Sequence, residues 1–344
     1  MLKSIKGSVS ITAAVVFMIC STFCVLAADV SDLYQTVVPP SNTRDSAFPE
    51  ALRMVAVKVS GSRDAAAKFT APMPDLRRYV QKIQTVGNDG SVLVGFDPAA
   101  IDSLLTKAAL PLWGRERPAV LVWLSMPDAS GKPNWVSSDQ SSPDRDTVDR
   151  VAQTRGLPVL WPSMDAADLT TVANLVTARG SSAELLASAE RYRADAVLLG
   201  TATRDATGSV TVQWSFAIGG GAKEEAIVMT QTSLEEGVQL AADRCAGLFA
   251  VPSNVLTDVL VQIVGIHNLD AYAGAINYLQ GFTVVTNVAV EQINGDVMRV
   301  RVAVRGNNAT LRHAIELKRR VAALVVDSTA SATDDNLLRL RYLQ

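Results

Sequence analysis

Apolar residues follow several spacings along this chain, and each spacing predicts a different kind of element. The clearest case is residues 110–126, where a helical pattern ends at Leu110 and Pro111 prevents its continuation. An almost unbroken apolar run follows at residues 119–124, which is typical of a strand buried on both faces in a sheet that helices cover on each side. We therefore expect a central α/β domain to begin here, with Trp113 buried between it and a smaller preceding module.

The patterns of residues 29–112 predict a small N-terminal module. Residues 45–59 have apolar positions at helical spacing, and Gly61 follows them as a C-cap would. Residues 87–90, Gly-Asn-Asp-Gly, favour positive φ and so predict a hairpin turn, after which Asp97 is the expected cap of a second helix. The predicted order is βαββα, with strands at residues 33–38, 79–86 and 91–96 and helices at residues 45–59 and 99–109.

Residues 113–252 have the pattern of a mixed α/β sheet domain. Arg117, directly before a proline, marks its beginning, and with Trp113 it is a candidate pivot between the two modules. A second buried strand is predicted at residues 194–203, parallel to the first because helical patterns separate the two. The remaining predicted elements are helices at residues 146–155, 167–178, 182–192 and 234–249 and strands at residues 159–161, 210–218 and 225–232.

Two local patterns add detail to this domain. Residues 127–143 are polar and predict a surface loop, in which Trp135 is exposed or folded back. Ser233, with Glu236 three positions later, predicts a capping box for the last helix.

Residues 253–326 repeat the order of the first module and add a strand. The resulting order, βαββαβ, is that of a ferredoxin-like split unit. The hairpins of the two modules can be overlaid, with Asn88 against Asn294, which suggests a structural duplication. Small polar residues then predict a flexible tail at 327–344. The expected fold class is therefore α/β and α+β: a central mixed α/β sheet domain flanked by two small split β-α-β modules.

Residues 1–28 have the pattern of a secretory signal peptide. Lys3 and Lys6 form a basic head, an apolar run follows, and small residues precede Asp29, so we expect cleavage there and a periplasmic mature protein. An uncleaved segment anchored in the inner membrane and facing the periplasm is the alternative, because the run approaches the length of a membrane-spanning helix. Lipidation is disfavoured, since neither cysteine in this segment follows a small residue.

Charge and cysteine usage exclude several functions. A net charge of -2 in 344 residues argues against a dedicated nucleic-acid binder. After cleavage Cys245 is the remaining cysteine, and its apolar surroundings predict a buried thiol rather than a nucleophile, because the two histidines, His267 and His313, lie in another module.

Polar clusters in the chain are better explained by local structure than by chemistry. Residues 219–221, three glycines, join two predicted strands and lack the ending of a phosphate loop. Asp165 and Asp168 precede a helix and are expected to act as caps, as are the carboxylates near Asp146. We therefore assign no catalytic residue, no cofactor and no metal site.

A set of short motifs is shared with known proteins. The motifs are residues 112–118 (LWGRERP) followed by VLVWL, residues 155–160 (RGLPVL), residues 191–200 (RYRADAVLLG) and Trp214. Together they resemble an uncharacterised family of exported Gram-negative bacterial proteins, domain-of-unknown-function family number two thousand and sixty-six. The third motif is also distantly similar to the periplasmic α/β domains of the TolB N-terminal, CsgG and FlgT group, which serve envelope assemblies. The resemblance implies export and brings no catalytic residue.

One strand pattern favours a surface function. Arg299, Arg301 and Arg305 alternate with apolar residues, which places the arginines on one face of a strand and the apolar residues on the other. The arginines are candidates for docking a protein, an acidic polymer or phosphate groups, and solvated side chains are the alternative.

The favoured function is a non-enzymatic periplasmic binding protein or envelope-assembly accessory. Its partner would be an envelope protein or an acidic envelope polymer, with no nucleic acid, and with membrane contact only if the signal segment stays uncleaved. The alternative is a small-molecule or glycan-binding protein that uses a cleft between modules near Trp113. An enzyme is least favoured, because the sequence lacks a nucleophile paired with a base, a metal-ligand set and a nucleotide loop.

Overall fold

Helices and sheets are mixed throughout the computed structural model, which confirms the expected α/β and α+β fold class. The predicted signal peptide, residues 1–28, lies outside the described residues, as does the first part of the predicted tail. In the part of the chain that is described, no helix combines the length and the apolar character needed to cross a membrane. The structure describes residues 32–40, 47–70, 75–86, 88–128, 130–177, 181–205, 210–219, 225–318, 324–326 and 337–343.

The N-terminal module has the predicted βαββα order. Its three strands form an antiparallel sheet in the order β1-β3-β2. Gly61 ends the first helix with a φ of 71°, and the Asp97 side chain caps the second. The elements are β1 (Gln35–Val38), α1 (Phe48–Ser60), β2 (Val80–Val86), β3 (Ser91–Phe96), α2 (Pro98–Lys107) and the short strand β4 (Pro111–Leu112).

The central domain is built on a strand that is buried on both faces, as the apolar run predicts. The elements are β5 (Val120–Pro127), β6 (Pro133–Trp135), α3 (Pro143–Arg155), β7 (Val159–Leu160), α4 (Ala166–Thr177), α5 (Ser182–Glu190), β8 (Ala196–Arg204), β9 (Val210–Ile218), β10 (Glu225–Thr232) and α6 (Leu234–Phe249). Strand β5 pairs in parallel with β7 and β8, and β9 and β10 extend the sheet as a hairpin. Side chains of β5 enter one core on each face of the sheet.

Two predictions about this domain are confirmed only in part. The predicted surface loop contains strand β6, which pairs with the end of β5. Trp135 is folded back, one of the two alternatives predicted for it, and packs edge-on against the buried Trp123 with ring centroids 6.5 Å apart. At the start of α6, Ser233 Oγ accepts the Glu236 N–H as predicted. The Glu236 carboxylate does not complete the capping box and instead binds Arg63 of the N-terminal module.

The C-terminal module differs from the predicted split unit at its end. The elements are β11 (Val251–Pro252), β12 (Leu256–Val264), α7 (Leu269–Gln280), β13 (Val285–Asn294), β14 (Val297–Arg305), α8 (Asn308–Leu317), β15 (Leu324–Val326) and β16 (Leu337–Tyr342). The sheet order is β13-β14-β12-β16-β15. Strand β16 pairs in parallel with β12 and displaces β15 to the edge. The prediction of a flexible tail over 327–344 is therefore wrong for Leu337–Tyr342, whose alternate leucines are buried.

The two small modules share a topology. Strands β12, β14 and β13 lie in the same order as β1, β3 and β2, and both sets are antiparallel. This arrangement is what the proposed structural duplication requires. The C-terminal module differs by the strands β15 and β16, which widen its sheet beyond β12.

The fold predicts that β16 stabilises the C-terminal module. Leu340 is fully buried, so Leu340→Ala should lower the free energy of unfolding by about 2–5 kcal/mol, whereas Arg339→Ala on the open face should change it by less than about 1 kcal/mol. Urea unfolding of both variants measures the difference. Equal stability of the two variants would contradict the packed position of β16.

Candidate functional site

The segment between the first two modules contacts all three parts of the protein, and we call residues 111–117 the junction. Strand β4 pairs with β11, which leads into the C-terminal module. The backbone N–H of Trp113 donates to the Val59 carbonyl of α1 at 2.7 Å, and the backbone N–H of Arg115 donates to Thr283 Oγ1 at 3.2 Å. The junction therefore links α1, the central domain and the C-terminal module through its own backbone.

Arg117 is a buried cation in the junction, 3% exposed. Its five N–H groups donate to five backbone carbonyls at 2.7–3.0 Å, which satisfies the whole guanidinium. Burial lowers the pKa of Arg117, but an arginine remains cationic at neutral pH. The accepting carbonyls belong to Lys58, Trp113, Gly114, Arg155 and Gly156.

Two helices end at this guanidinium. Lys58 lies in the last turn of α1, and Arg155 and Gly156 close α3, so the carbonyls that a helix leaves without internal partners are bound by Arg117. The C-terminal ends of helices carry partial negative charge, which compensates the buried cation. Gly156 has a φ of 62°, and a Cβ atom there would lie 2.7 Å from Arg117 Nη1, so both the conformation and the contact favour glycine.

The Trp113 indole covers Arg117 and is fully buried. The guanidinium carbon lies 3.9 Å from the ring centroid, a cation–π contact. The indole faces no cleft, because its exposed fraction is 0%. Its Nε1–H has no hydrogen-bond partner in the described residues, so the ring contributes by packing and by its π face.

A second arginine joins the end of α1 to α6. Arg155 is 1% exposed, and its Nη2 donates to the Gly61 carbonyl and to Asp243 Oδ1, each at 2.7 Å. Arg63 binds the same Asp243 from the surface and reaches Glu236 at 3.0 Å. The Arg155 hydrogen bond to Gly61 and the Arg63 ion pairs with Glu236 and Asp243 hold the N-terminal module against the central domain.

Lys58 is a third buried cation beside the junction, 5% exposed. Its Nζ donates to the Gln35 carbonyl of β1 at 2.8 Å. Burial, reinforced by the charge of Arg117, lowers the pKa of Lys58 to about 8. The group therefore titrates in an accessible range of pH.

The predicted arginine strand is β14, and its alternation is as expected. Arg299 and Arg301 are exposed and Arg305 is half-buried, while the intervening valines are fully buried. Arg301 Nε donates to Glu291 at 2.7 Å on the neighbouring β13. Arg305 Nη1 lies 3.8 Å from Asp102 Oδ2 of α2, so one end of the arginine row reaches the N-terminal module.

Two arginines of this face were missed by sequence reasoning. Arg339 and Arg341 lie on β16 and share the open face, because their neighbours Leu338 and Leu340 are buried. The alternation of apolar and basic residues in 337–342, LLRLRY, predicts this strand. The small polar residues before it favoured a flexible tail instead.

The open side of the C-terminal sheet is therefore lined by arginines on β14 and β16, the two strands on either side of β12, and we call it the basic sheet face. One row crosses it in register: Gln292 on β13, Arg299 on β14, Gln262 on β12 and Arg339 on β16. Its arginines are Arg299, Arg301, Arg305, Arg339 and Arg341.

The other polar candidates are structural. Cys245 is fully buried, as predicted, and burial raises the pKa of its thiol to about 12. Asp165 caps α4 as expected. Asp168 is instead buried and accepts hydrogen bonds from Ser163, Met164, Arg191 and Tyr192. No group of three or more His, Cys, Asp or Glu side chains among the described residues is arranged to hold a metal ion.

Residues 27–114 match a family model described as Domain of unknown function (DUF8605), a range that includes the N-terminal module and the start of the junction. No curated protein and no solved structure matches the chain significantly. The resemblance to the exported Gram-negative family stays a prediction.

The junction predicts a large effect of truncating Trp113. Trp113→Ala should lower the free energy of unfolding by about 3–5 kcal/mol, since it leaves a cavity and uncovers Arg117. Trp113→Phe is the matched control and should cost much less, because the indole N–H makes no hydrogen bond that phenylalanine would lose. Chemical denaturation checks both variants. A Trp113→Ala variant as stable as the wild type would contradict this role.

Lys58 predicts that stability rises with pH. Its pKa is lowered in the folded state, so between pH about 8 and 10.5 the unfolded chain binds the proton and the folded chain does not. The free energy of unfolding should therefore increase by about 1 kcal/mol from pH 8 to pH 9. Well below pH 8 Lys58 is protonated in both states, so it adds nothing there to the change of stability with pH.

The matched variant for this prediction is Lys58→Met. It keeps the length of the side chain and should lose the rise with pH, while the opposing titration of Cys245 stays in both proteins. Urea unfolding at several pH values measures the difference between them. Parallel pH profiles would show that Lys58 is protonated in the folded protein throughout this range.

Proposed function

We propose that this protein is a non-enzymatic binding protein of the periplasm, an accessory factor whose basic sheet face docks an acidic surface of an envelope protein. This proposal is supported above all by five arginines that share one open face of the C-terminal sheet: Arg299, Arg301, Arg305, Arg339 and Arg341. A strand has two faces, and here one is used entirely for the core while the other presents cations.

The chemistry of the face favours a protein over a polymer. Leu260 and Leu337 lie side by side on it, next to Arg301, so the cations surround apolar surface. Arginine beside apolar area is typical of the centres of protein interfaces, and the planar guanidinium binds carboxylates in pairs of parallel hydrogen bonds. An acidic polysaccharide offers little to bury against the leucines.

Neighbouring groups hold the arginines in place before a partner arrives. Glu291 binds Arg301, and Asp258 lies 3.8 Å from the same guanidinium. Asp102 faces Arg305 and accepts a hydrogen bond from the Tyr34 hydroxyl at 2.9 Å. Side chains that are already ordered lose less conformational entropy when they bind.

The periplasmic location and the absence of catalysis belong to the same proposal. The location is supported by the signal-like residues 1–28, and the accessory role by the resemblance to exported envelope proteins. A binding role is favoured over an enzymatic one because the sequence shows no nucleophile paired with a base.

The proposal predicts that Arg299→Gln, Arg301→Gln and Arg305→Gln together abolish crosslinking of the protein to its envelope partner while the fold is retained. The matched control removes three arginines elsewhere, the half-buried Arg53 and the exposed Arg150 and Arg312, by Arg53→Gln, Arg150→Gln and Arg312→Gln, and should keep the crosslinks. Capture by the wild type should also weaken as salt is added, because screening reduces attraction between exposed charges.

Three results would count against docking by this face. Crosslinks that survive in the folded basic-face variant would show that the arginines are only solvated. An equal loss of crosslinks in the control variant would show that the effect comes from the net charge of the protein and not from this face. Arginine-dependent binding of an anionic polysaccharide without any protein crosslink would replace the protein partner by an acidic polymer.

A further inference from the structure

A cavity lies between the central domain and the C-terminal module, away from the basic sheet face. Its volume is about 240 Å³, and a cavity of roughly 150 Å³ is enough to hold benzene. One wall is the end of α6 and the opposite wall is α8, while the junction forms its base. Its lining includes Glu116, Leu248, Phe249, Ala309 and His313.

The base of the cavity carries a buried carboxylate. The Glu116 side chain is 5% exposed, and the one hydrogen-bond donor to its oxygens among the described residues is the Thr283 N–H, at 3.3 and 3.4 Å. Hydrogen bonds to ionised groups are normally 2.7–2.9 Å long, and a carboxylate can accept about four. Glu116 therefore keeps capacity for a strong donor.

The nearest cation satisfies Glu116 only in part. Lys318 Nζ lies 3.6 Å from Glu116 Oε1, beyond a good hydrogen bond. The same ammonium donates to the Gly281 carbonyl at 3.3 Å and lies 4.9 Å from the Phe282 ring centroid. It is thus shared among three acceptors and does not neutralise the carboxylate alone.

A second buried polar group belongs to the same region. The Tyr278 hydroxyl is buried and has no hydrogen-bond partner in the described residues. Burial, together with the charge of Glu116, raises the pKa of Tyr278 to about 12, so the phenol stays protonated at neutral pH.

Apolar side chains line part of the cavity wall, and Asn307, Thr310 and His313 add polar groups to it. Leu248 is 56% exposed at the open side, which is unusual for a leucine next to a buried surface. Phe249 and His313 meet edge to face with ring centroids 6.0 Å apart, and both line the space between α6 and α8. An apolar group in this space would bury Leu248 and Phe249.

We infer that this cavity binds a small primary amine with a compact apolar body. The ammonium donates to Glu116 at the base, and the body lies between Phe249 and α8. An anion at this position would be repelled by the Glu116 carboxylate, and a neutral group would lack the charge-assisted hydrogen bond to it. The site is distinct from the basic sheet face, since its chemistry is acidic and apolar.

Benzylamine and benzyl alcohol are matched probes, because they share a body and differ in charge. Titration of the full chain by calorimetry and by NMR at low salt should show saturable binding of benzylamine, with benzyl alcohol at least tenfold weaker. Glu116→Gln should weaken benzylamine at least tenfold and leave benzyl alcohol unchanged. Equal affinities of the two probes, or no binding of either at millimolar concentration, would overturn the inference.

Ala309→Trp gives an independent test that does not alter the carboxylate. Ala309 is exposed and lines the cavity, so a larger side chain there should block the space and leave the unfolding midpoint unchanged. Binding of benzylamine should be lost in this variant and retained in the variant that lacks Arg299, Arg301 and Arg305. Retained binding in Ala309→Trp would place the amine outside the cavity.

Discussion

The structure depends on a buried cation that is neutralised without a hydrogen-bonded carboxylate. Arg117 donates all five of its N–H groups to backbone carbonyls, several of them at the ends of α1 and α3. Removing a guanidinium from water is costly, and the cost is offset here by complete hydrogen bonding, by two helix dipoles and by the Trp113 ring. Because those carbonyls belong to different modules, the same interaction that satisfies Arg117 fixes how the N-terminal module sits on the central domain.

The junction extends this constraint to the third module. Strand β4 pairs with β11. The backbone N–H of Arg115 donates to the Thr283 hydroxyl, and the backbone N–H of Thr283 donates to the Glu116 carboxylate. A short irregular segment therefore holds three cores in contact. A second link between the first two modules comes from Arg155, which donates to the Gly61 carbonyl, and from Arg63, which binds Asp243. Both proposed binding regions follow from this assembly, since the amine cavity lies between modules and Arg305 of the basic sheet face reaches Asp102 of the first module.

Local patterns of apolar and turn residues predicted most of the strands and helices. The run at residues 119–124 predicted a strand buried on both faces, and the order βαββα was correct for both small modules, because apolar periodicity and turn residues act over a few positions. The alternation of Arg299, Arg301 and Arg305 with apolar residues likewise predicted which face of β14 is exposed to solvent. Strand β16 was missed although its alternation is visible, because the polar residues before it suggested that the chain had left the core.

The sequence by itself determined the fold class, most of the elements and the sign of charge on β14. Only the tertiary structure decided what those elements meet: that β16 inserts beside β12, that Arg339 joins the arginine face, and that Glu236 binds Arg63 rather than its own helix. It also placed Glu116 in a cavity. Pairing between residues far apart in the chain leaves no local periodicity, because it is selected by the fit of whole surfaces and by the need of each buried polar group for a partner.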